Sequence, residues 1–386
     1  MPRMILLMIV FFTFISKVTA DDLAGQQCQQ HRCIAVVDAG STGTRLHIYA
    51  FDVNEKNDPV NIKDIWSNKI KPGFATLNPD PETINTYLSS LFAPAPEQNL
   101  PVYFYATAGM RLLPQPKQQQ YYQTLQQWFA AQPQWQLVES KTITGKAEGL
   151  YGWLAVNYQL GALSNPSQEA ASVMDMGGAS VQVVFPVQND SVIDPSDIIE
   201  IDVYGRHMKL FVHSFLGLGQ TVLSHQFLDA SNCFANDYLL PNGTPAQGDA
   251  PTCKRDVSRL INTVHSVSRI VKPAVAANPG NTWYVIGGLA ALAQDKPFQF
   301  QGNQLTNQSL LQQADNIICH QQWDALQTQY PNNEYIYGYC LFPSYYYALM
   351  VHGYGLSPSE PVRYLANSQN VDWTLGVVLH HQQTQV

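Results

Sequence analysis

Two short stretches set an acid beside glycines and hydroxyls. Asp38-Ala39-Gly40-Ser41-Thr42-Gly43-Thr44-Arg45 follows the apolar run Cys33 to Val37, and Asp175-Met176-Gly177-Gly178-Ala179-Ser180 follows Ala171 to Met174. Glycines at 40 and 43 let the backbone bend and come close to a ligand. Ser41, Thr42 and Thr44 add hydroxyls, and the turn adds backbone N–H groups. Such a concavity suits a phosphate anion. Asp38 repels phosphate directly, but it suits a divalent cation that bridges phosphates, through water for magnesium. Taken alone, the first stretch is more simply a hairpin turn whose Asp bonds its own loop. The second stretch repeats both acid and small-residue turn. Two such turns facing each other would grip a phosphate chain, with one metal between Asp38 and Asp175.

Breaking a phosphoanhydride needs a water in line and a base to take its proton. Glu148 is the best candidate base. It lies in Gly145-Lys146-Ala147-Glu148-Gly149, at the expected start of a helix and between glycines that permit close approach. On residue type alone, an acid favoured by the N-terminal helix dipole is an equally good reading.

These residues need elements to place them. Cys33 to Asp38 reads as a buried strand, and the alternation from Leu46 to Val53 reads as its hairpin partner. Pro101 to Ala106 is a further strand, after which ATAGMR opens a helix. A Gln-rich helix is expected over 118–131 and a short strand over 135–138. From Leu150 to Tyr158 apolar residues recur at helical spacing. Asn165 to Glu169 is a connector. Ala171 to Met176 and Val181 to Phe185 form a second strand pair, with more strands near 198–204, 209–213 and 283–286. Helices are expected over 257–275 and 310–330. The hairpin at Asp38 and its echo at Asp175 suggest a duplicated α/β domain.

The chain has 386 residues, 45% of them hydrophobic, which is enough for two cores. Only 13% are charged, the net charge is −8, and no Lys/Arg cluster occurs, so a nucleic-acid surface is excluded. Arg3, the apolar stretch Met4 to Ile15 and the small residues Val18-Thr19-Ala20 read as a signal peptide cleaved after Ala20. The apolar run is short for a membrane span of about 20 residues, and no anchor is expected in the mature chain. Six cysteines, Cys28, Cys33, Cys233, Cys253, Cys319 and Cys340, suggest three disulfides in an exported protein. Pairing between sequence neighbours is the simplest arrangement.

Five motifs in order, DAGSTGTR (38–45), ATAGMR (106–111), GKAEGLYGWLAVNY (145–158), MDMGGASVQ (174–182) and DWTLG (372–376), resemble the apyrases, the nucleoside triphosphate diphosphohydrolases. YGRHMKLFVHSFLGLG (204–219) resembles a further segment of that family. The resemblance implies an α/β chain of two actin-like (RNase H-like) domains with the active site in the cleft between them. It implies Glu148 as the base that activates water, Ser180 and Gln182 as residues that hold that water, and Thr107 close by. It implies Mg2+ or Ca2+ held through water by Asp38 and Asp175. Ser41, Thr42, Gly43 and Thr44, with Gly177, Gly178 and Ala179, match the two phosphate loops. Trp373 matches a family tryptophan for which packing is the better role. One departure stands out: Gly217-Leu218-Gly219-Gln220 replaces an expected Cys-Tyr-Gly-basic run, which puts a basic nucleotide contact in doubt. Tyr335 and Tyr339, with Tyr337 between them, are candidates for base stacking, although packing suits at least one of them.

The expectation is therefore a secreted or periplasmic monomer that cleaves the terminal phosphate of nucleoside tri- and diphosphates. An exopolyphosphatase or another actin-fold phosphotransferase is the alternative. The first domain is expected over 28–147 plus 362–386, and the second over 148–361.

Overall fold

The computed structural model describes residues 20–96, 99–298, 300–366 and 371–383. Residues 1–19 of the expected leader lie outside the described residues.

Two sheets carry the architecture. The first is built from β1 (Arg32–Ala39), β2 (Thr44–Val53), β3 (Pro59–Ile70), β4 (Leu100–Ala106) and β5 (Trp135–Thr142), in the order β3-β2-β1-β4-β5. The second contains β6 (Ser172–Met176), β7 (Ser180–Pro186), β8 (Ile198–Val203), β9 (Arg206–Leu216), β10 (Trp283–Gly287), β11 (Gln304–Thr306) and β12 (Pro361–Tyr364), in the order β11-β12-β10-β6-β7-β9-β8. Within it, β9-β7-β6-β10-β12 repeats the first sheet's order and its run of antiparallel and parallel pairings. The sequence echo is thus an echo of topology: β1 and β6 hold equivalent places, each with an Asp at its second-last position.

Alternate residues of each strand point to opposite faces. On one face of the first sheet, Ala35, Val37, Ile48 and Phe104 pack beneath the helices Pro81–Phe92 and Gln115–Ala130. On the other, Ile34, Val36, Tyr49 and Tyr105 join a core shared with Val173, Val184, Val212 and Ile286 of the second sheet. Two helices fill that shared core, Gly145–Gln159 and the final helix Trp373–Gln383. The first has an unbroken buried run from Glu148 to Asn157, because it is covered on all sides rather than along one stripe. A third core lies beyond the second sheet.

Several expectations change. The helix expected over 257–275 is two helices, Ala250–Thr263 and Val267–Ala277, parted at Ser266 in the left-handed region (φ 56). Asn262 Oδ1 accepts the Ser268 N–H at 2.9 Å and fixes that break. The segment 310–330 is also divided, into Asn307–Ala314, a π-turn at Asp315–Cys319 and Trp323–Gln329. Near the expected domain boundary at about 362, β12 pairs with β10 of the second sheet. The division at 147/148 falls inside the helix Gly145–Gln159. It is the final helix that returns to pack on β1, β2 and β3. The disulfides do pair sequence neighbours: Cys28–Cys33, Cys233–Cys253 and Cys319–Cys340. Among the described residues no helix is long and apolar enough to cross a membrane.

Candidate active site

A cavity of about 400 Å³ lies between the two sheets. Asp38 and Asp175 open onto it from the ends of β1 and β6, and both phosphate-loop candidates line it. Asp38 stands opposite Arg45 in its hairpin, and Asp175 stands opposite Gln182. The loops meet closely. A Cβ on Gly178 would lie 2.4 Å from Ser41 Oγ and 2.9 Å from Thr42 Cγ2, so any larger residue would force those loop side chains to move. Ser41, Thr42, Gly43, Gly177, Gly178 and Ala179 are thereby gathered around one space. Thr44 is not among them: it is buried, and its hydroxyl accepts a 2.8 Å hydrogen bond from Tyr87.

Glu148 reaches the cleft from the first turn of its helix. Thr144 caps that turn, its hydroxyl accepting the Ala147 N–H at 3.1 Å. The helix can sit so near β7 and β9 because of its glycines. A Cβ on Gly145 would fall 2.1 Å from Ser214 Oγ, and one on Gly149 would fall 3.0 Å from Gln182 Cβ. Glu148 Oε2 accepts from Arg111 Nη2 at 2.8 Å and from Gln182 Nε2 at 3.1 Å. Ser180 Oγ accepts from the same nitrogens, at 2.9 and 2.7 Å. The Gln182 amide also reaches Ser214 Oγ at 3.1 Å. Thr107, on the first-sheet side, is buried and lines the cavity.

The cleft concentrates negative charge. Burial, then Asp372 and Glu148, push the Asp38 carboxyl up to about 8. Burial and the same kind of neighbours push Asp175 well above the carboxylate range. Burial also raises Glu148, and the Arg111 guanidinium pulls against it. Asp372 is the exception: burial raises it, but His47, Arg45 and Thr374 outweigh burial and hold it low. Desolvated like charges of this kind favour protonation unless a cation joins them. Asp38 Oδ1 is buried without a hydrogen-bond partner, an orphaned acceptor of the sort a hydrated cation would satisfy. Among the described residues no three His, Cys, Asp or Glu side chains converge to ligate a metal directly. Asp38 and Asp175, facing one cavity with an unpartnered carboxylate oxygen, suit a divalent ion held through its water shell.

Tyr335 is exposed at the cavity edge, and Tyr339 lines it from a buried position. The Tyr339 hydroxyl accepts from Asn333 Nδ2 at 3.0 Å and its ring packs 5.5 Å from Phe298. Tyr337 packs 6.2 Å from Phe342. Trp373 lines the cavity while stacked on Tyr151 at 6.3 Å. Gln220, from the divergent Gly217–Gln220 run, also lines the cavity, and its Oε1 accepts from the Tyr346 hydroxyl. Residue types alone do not mark Arg111, Ser214, Asp372, Arg45 or Lys69 as functional, yet the last three line the cavity. Arg45, Arg111, Ser214 and Asp372 all lie inside the motifs quoted above, which is the signal for them in the sequence; Lys69 lies in none.

The profile of the GDA1/CD39 (nucleoside phosphatase) family matches residues 25–247 and 244–386. The chain belongs to this family. Mouse "Ectonucleoside triphosphate diphosphohydrolase 1" is 26% identical, the match covering 89% of this chain and 80% of the relative. "Probable apyrase 3" of Arabidopsis thaliana is 25% identical over 95% of this chain and 86% of its own. Among solved structures, the nucleoside triphosphate hydrolases of Neospora caninum superpose with a TM-score of 0.58 at 15% identity, covering 94% and 95% of the two chains. An exopolyphosphatase from Cytophaga hutchinsonii gives 0.51 at 13% identity over 92% and 98%. The protein is thus a nucleoside phosphatase with an α/β fold built on two mixed sheets.

Proposed function

We propose that this chain is an exported apyrase that hydrolyses the terminal phosphoanhydride of nucleoside tri- and diphosphates. The observation that carries the reading is the placement of Glu148. Its carboxylate is buried beside two facing anion loops and is hydrogen-bonded to Arg111 and Gln182. Water attacks the terminal phosphorus in line with the leaving phosphate oxygen, and Glu148 takes the proton. Ser180 and Gln182 orient the water. Arg111 opposes the effect of burial and favours the ionised form of Glu148. The backbone N–H groups of residues 41–44 and 177–179 stabilise charge developing on the phosphoryl oxygens, while the Thr44 side chain serves the core. When bound, Mg2+ or Ca2+ neutralises phosphate charge, and Asp38 and Asp175 are the residues that hold its water shell. Tyr335, exposed at the cavity edge, stacks on the nucleotide base, with Tyr339 as the wall behind it. Three disulfides suit an oxidising compartment, in keeping with secretion or a periplasmic location of a monomer.

Glu148→Ala tests the mechanism. Phosphate release from ATP and ADP is expected to vanish while nucleotide binding persists; full activity would overturn the role of Glu148. Running polyphosphate in parallel decides between the nucleotide and polyphosphate readings.

A further inference from the structure

His47 is completely buried on β2, and nothing in the reaction described above uses it. Both of its ring nitrogens face carboxylates. Nδ1 lies 2.8 Å from Asp64 Oδ2 on β3, and Nε2 lies 3.0 Å from Asp372 Oδ2. Nδ1 is hydrogen-bonded to Asp64, whereas the Nε2 contact with Asp372 is an ion pair outside hydrogen-bond alignment; a carboxylate beside each nitrogen favours the imidazolium, which carries a proton on both. The same face of β2 presents residues 45, 47 and 49, and all three hold the segment that opens the final helix. Arg45 Nη1 lies 3.4 Å from Asp372 Oδ2, and the Tyr49 hydroxyl is 2.7 Å from Thr374 Oγ1. Asp372 Oδ1 accepts the Thr374 N–H at 2.8 Å.

Arg45 stands directly opposite Asp38 in the hairpin, yet it turns to Asp372 while Asp38 Oδ1 remains without a partner. A guanidinium paired with Asp38 would occupy the position a cation needs. We propose that His47 is a positioning residue that keeps the cation site open: it pins Asp372 in the cleft wall, and Asp372 holds Arg45 away from Asp38. This rests on Asp38 being a cation-holding residue, as proposed above.

The test is calorimetric titration of the full chain with Ca2+ and with Mg2+ alone. Removing a positive charge near a cation site strengthens cation binding if Coulomb's law acts alone. The positioning role predicts the opposite sign. His47→Gln is expected to weaken cation binding by about tenfold, a change in K of ~1.4 kcal/mol, and His47→Gln combined with Arg45→Ala is expected to bind as Arg45→Ala does. Unchanged or tighter binding in His47→Gln overturns the inference, as does a loss that persists in the double variant. Failure of the native chain to bind either cation overturns the role of Asp38 itself. If His47→Gln does not fold, Asp372→Asn replaces it, since Asn still caps the helix. Its loss of affinity is then expected to shrink in the Arg45→Ala background, and an equal loss in both backgrounds overturns the inference.

Discussion

Replacing Arg111 by Met keeps the aliphatic bulk and removes the guanidinium from Glu148. Both partners are well buried, with side chains 14% and 8% exposed. Leaving one member of a buried pair uncompensated costs about 3–5 kcal/mol. Glu148 can escape that cost by taking a proton. Burial already pushes its carboxyl up, and Arg111 is the group that pulls it down, so the variant's Glu148 is expected to hold its proton to higher pH than the native one. A neutral Glu148 cannot accept a proton from water. The rate at pH 7 should fall by about 10²-fold or more, within the ~10²–10⁴ contributed by a positioned base. The acidic limb of the pH–rate profile should move to higher pH. The sign for stability follows from the raised carboxyl: the folded state favours the proton, so stability is greatest in acid and declines as pH rises through the folded value. Melting temperature and initial rate are therefore measured across pH for the native chain, Arg111→Met and Arg111→Met/Glu148→Gln. The double variant, which has no buried charge to desolvate, should melt above the single variant at pH 8. An unmoved acidic limb together with unchanged melting would refute the pairing argument.

Gly178→Val should drive the two loops apart, since even a Cβ would meet Ser41 Oγ at 2.4 Å; KM for ATP should rise and kcat fall, with little change in melting. Gly145→Ala should lower activity by shifting the first turn that carries Glu148, and Ser214→Gly should partly restore it, because Ser214 Oγ is the atom met at 2.1 Å. Replacing Cys233 and Cys253 by Ser releases a crosslink between residues 20 apart in sequence, a loss of about 3 kcal/mol, read as a lower melting temperature that reductant reproduces. For His47, burial lowers the imidazole, but Asp372 and Asp64 outweigh burial and raise it from 6.5 to about 10. Its contribution is therefore full below about 6.5 and lost as pH climbs through about 10, and His47→Gln should flatten that alkaline decline in melting temperature.

Much of the site was legible because chemistry there is local in sequence. The Asp38 and Asp175 turns each follow a buried strand, and each strand pairs with the one after it, so short windows contained the whole unit. Glu148 was readable as a helix-start acid between glycines. What was not legible depends on contacts between distant segments. Arg111 meets Glu148 across 37 residues, and Arg45 meets Asp372 across 327. Thr44 has the same residue type as its neighbours, yet strand pairing turns it into the core against Tyr87. The helix Gly145–Gln159 carries apolar residues on every face, which signals burial but not that two sheets enclose it. The breaks at Ser266 and at Asp315–Cys319 escaped periodicity because apolar spacing continues across them. β12 went unseen because four residues carry too short an alternation to read as a strand.

Phosphate release from ATP, ADP and AMP, with and without Mg2+ or Ca2+, tests the account most directly. Cation-dependent release from ATP and ADP, none from AMP, and loss of all release in Glu148→Ala is the expected result. Equal release from AMP, or full activity in the presence of chelator, would contradict it.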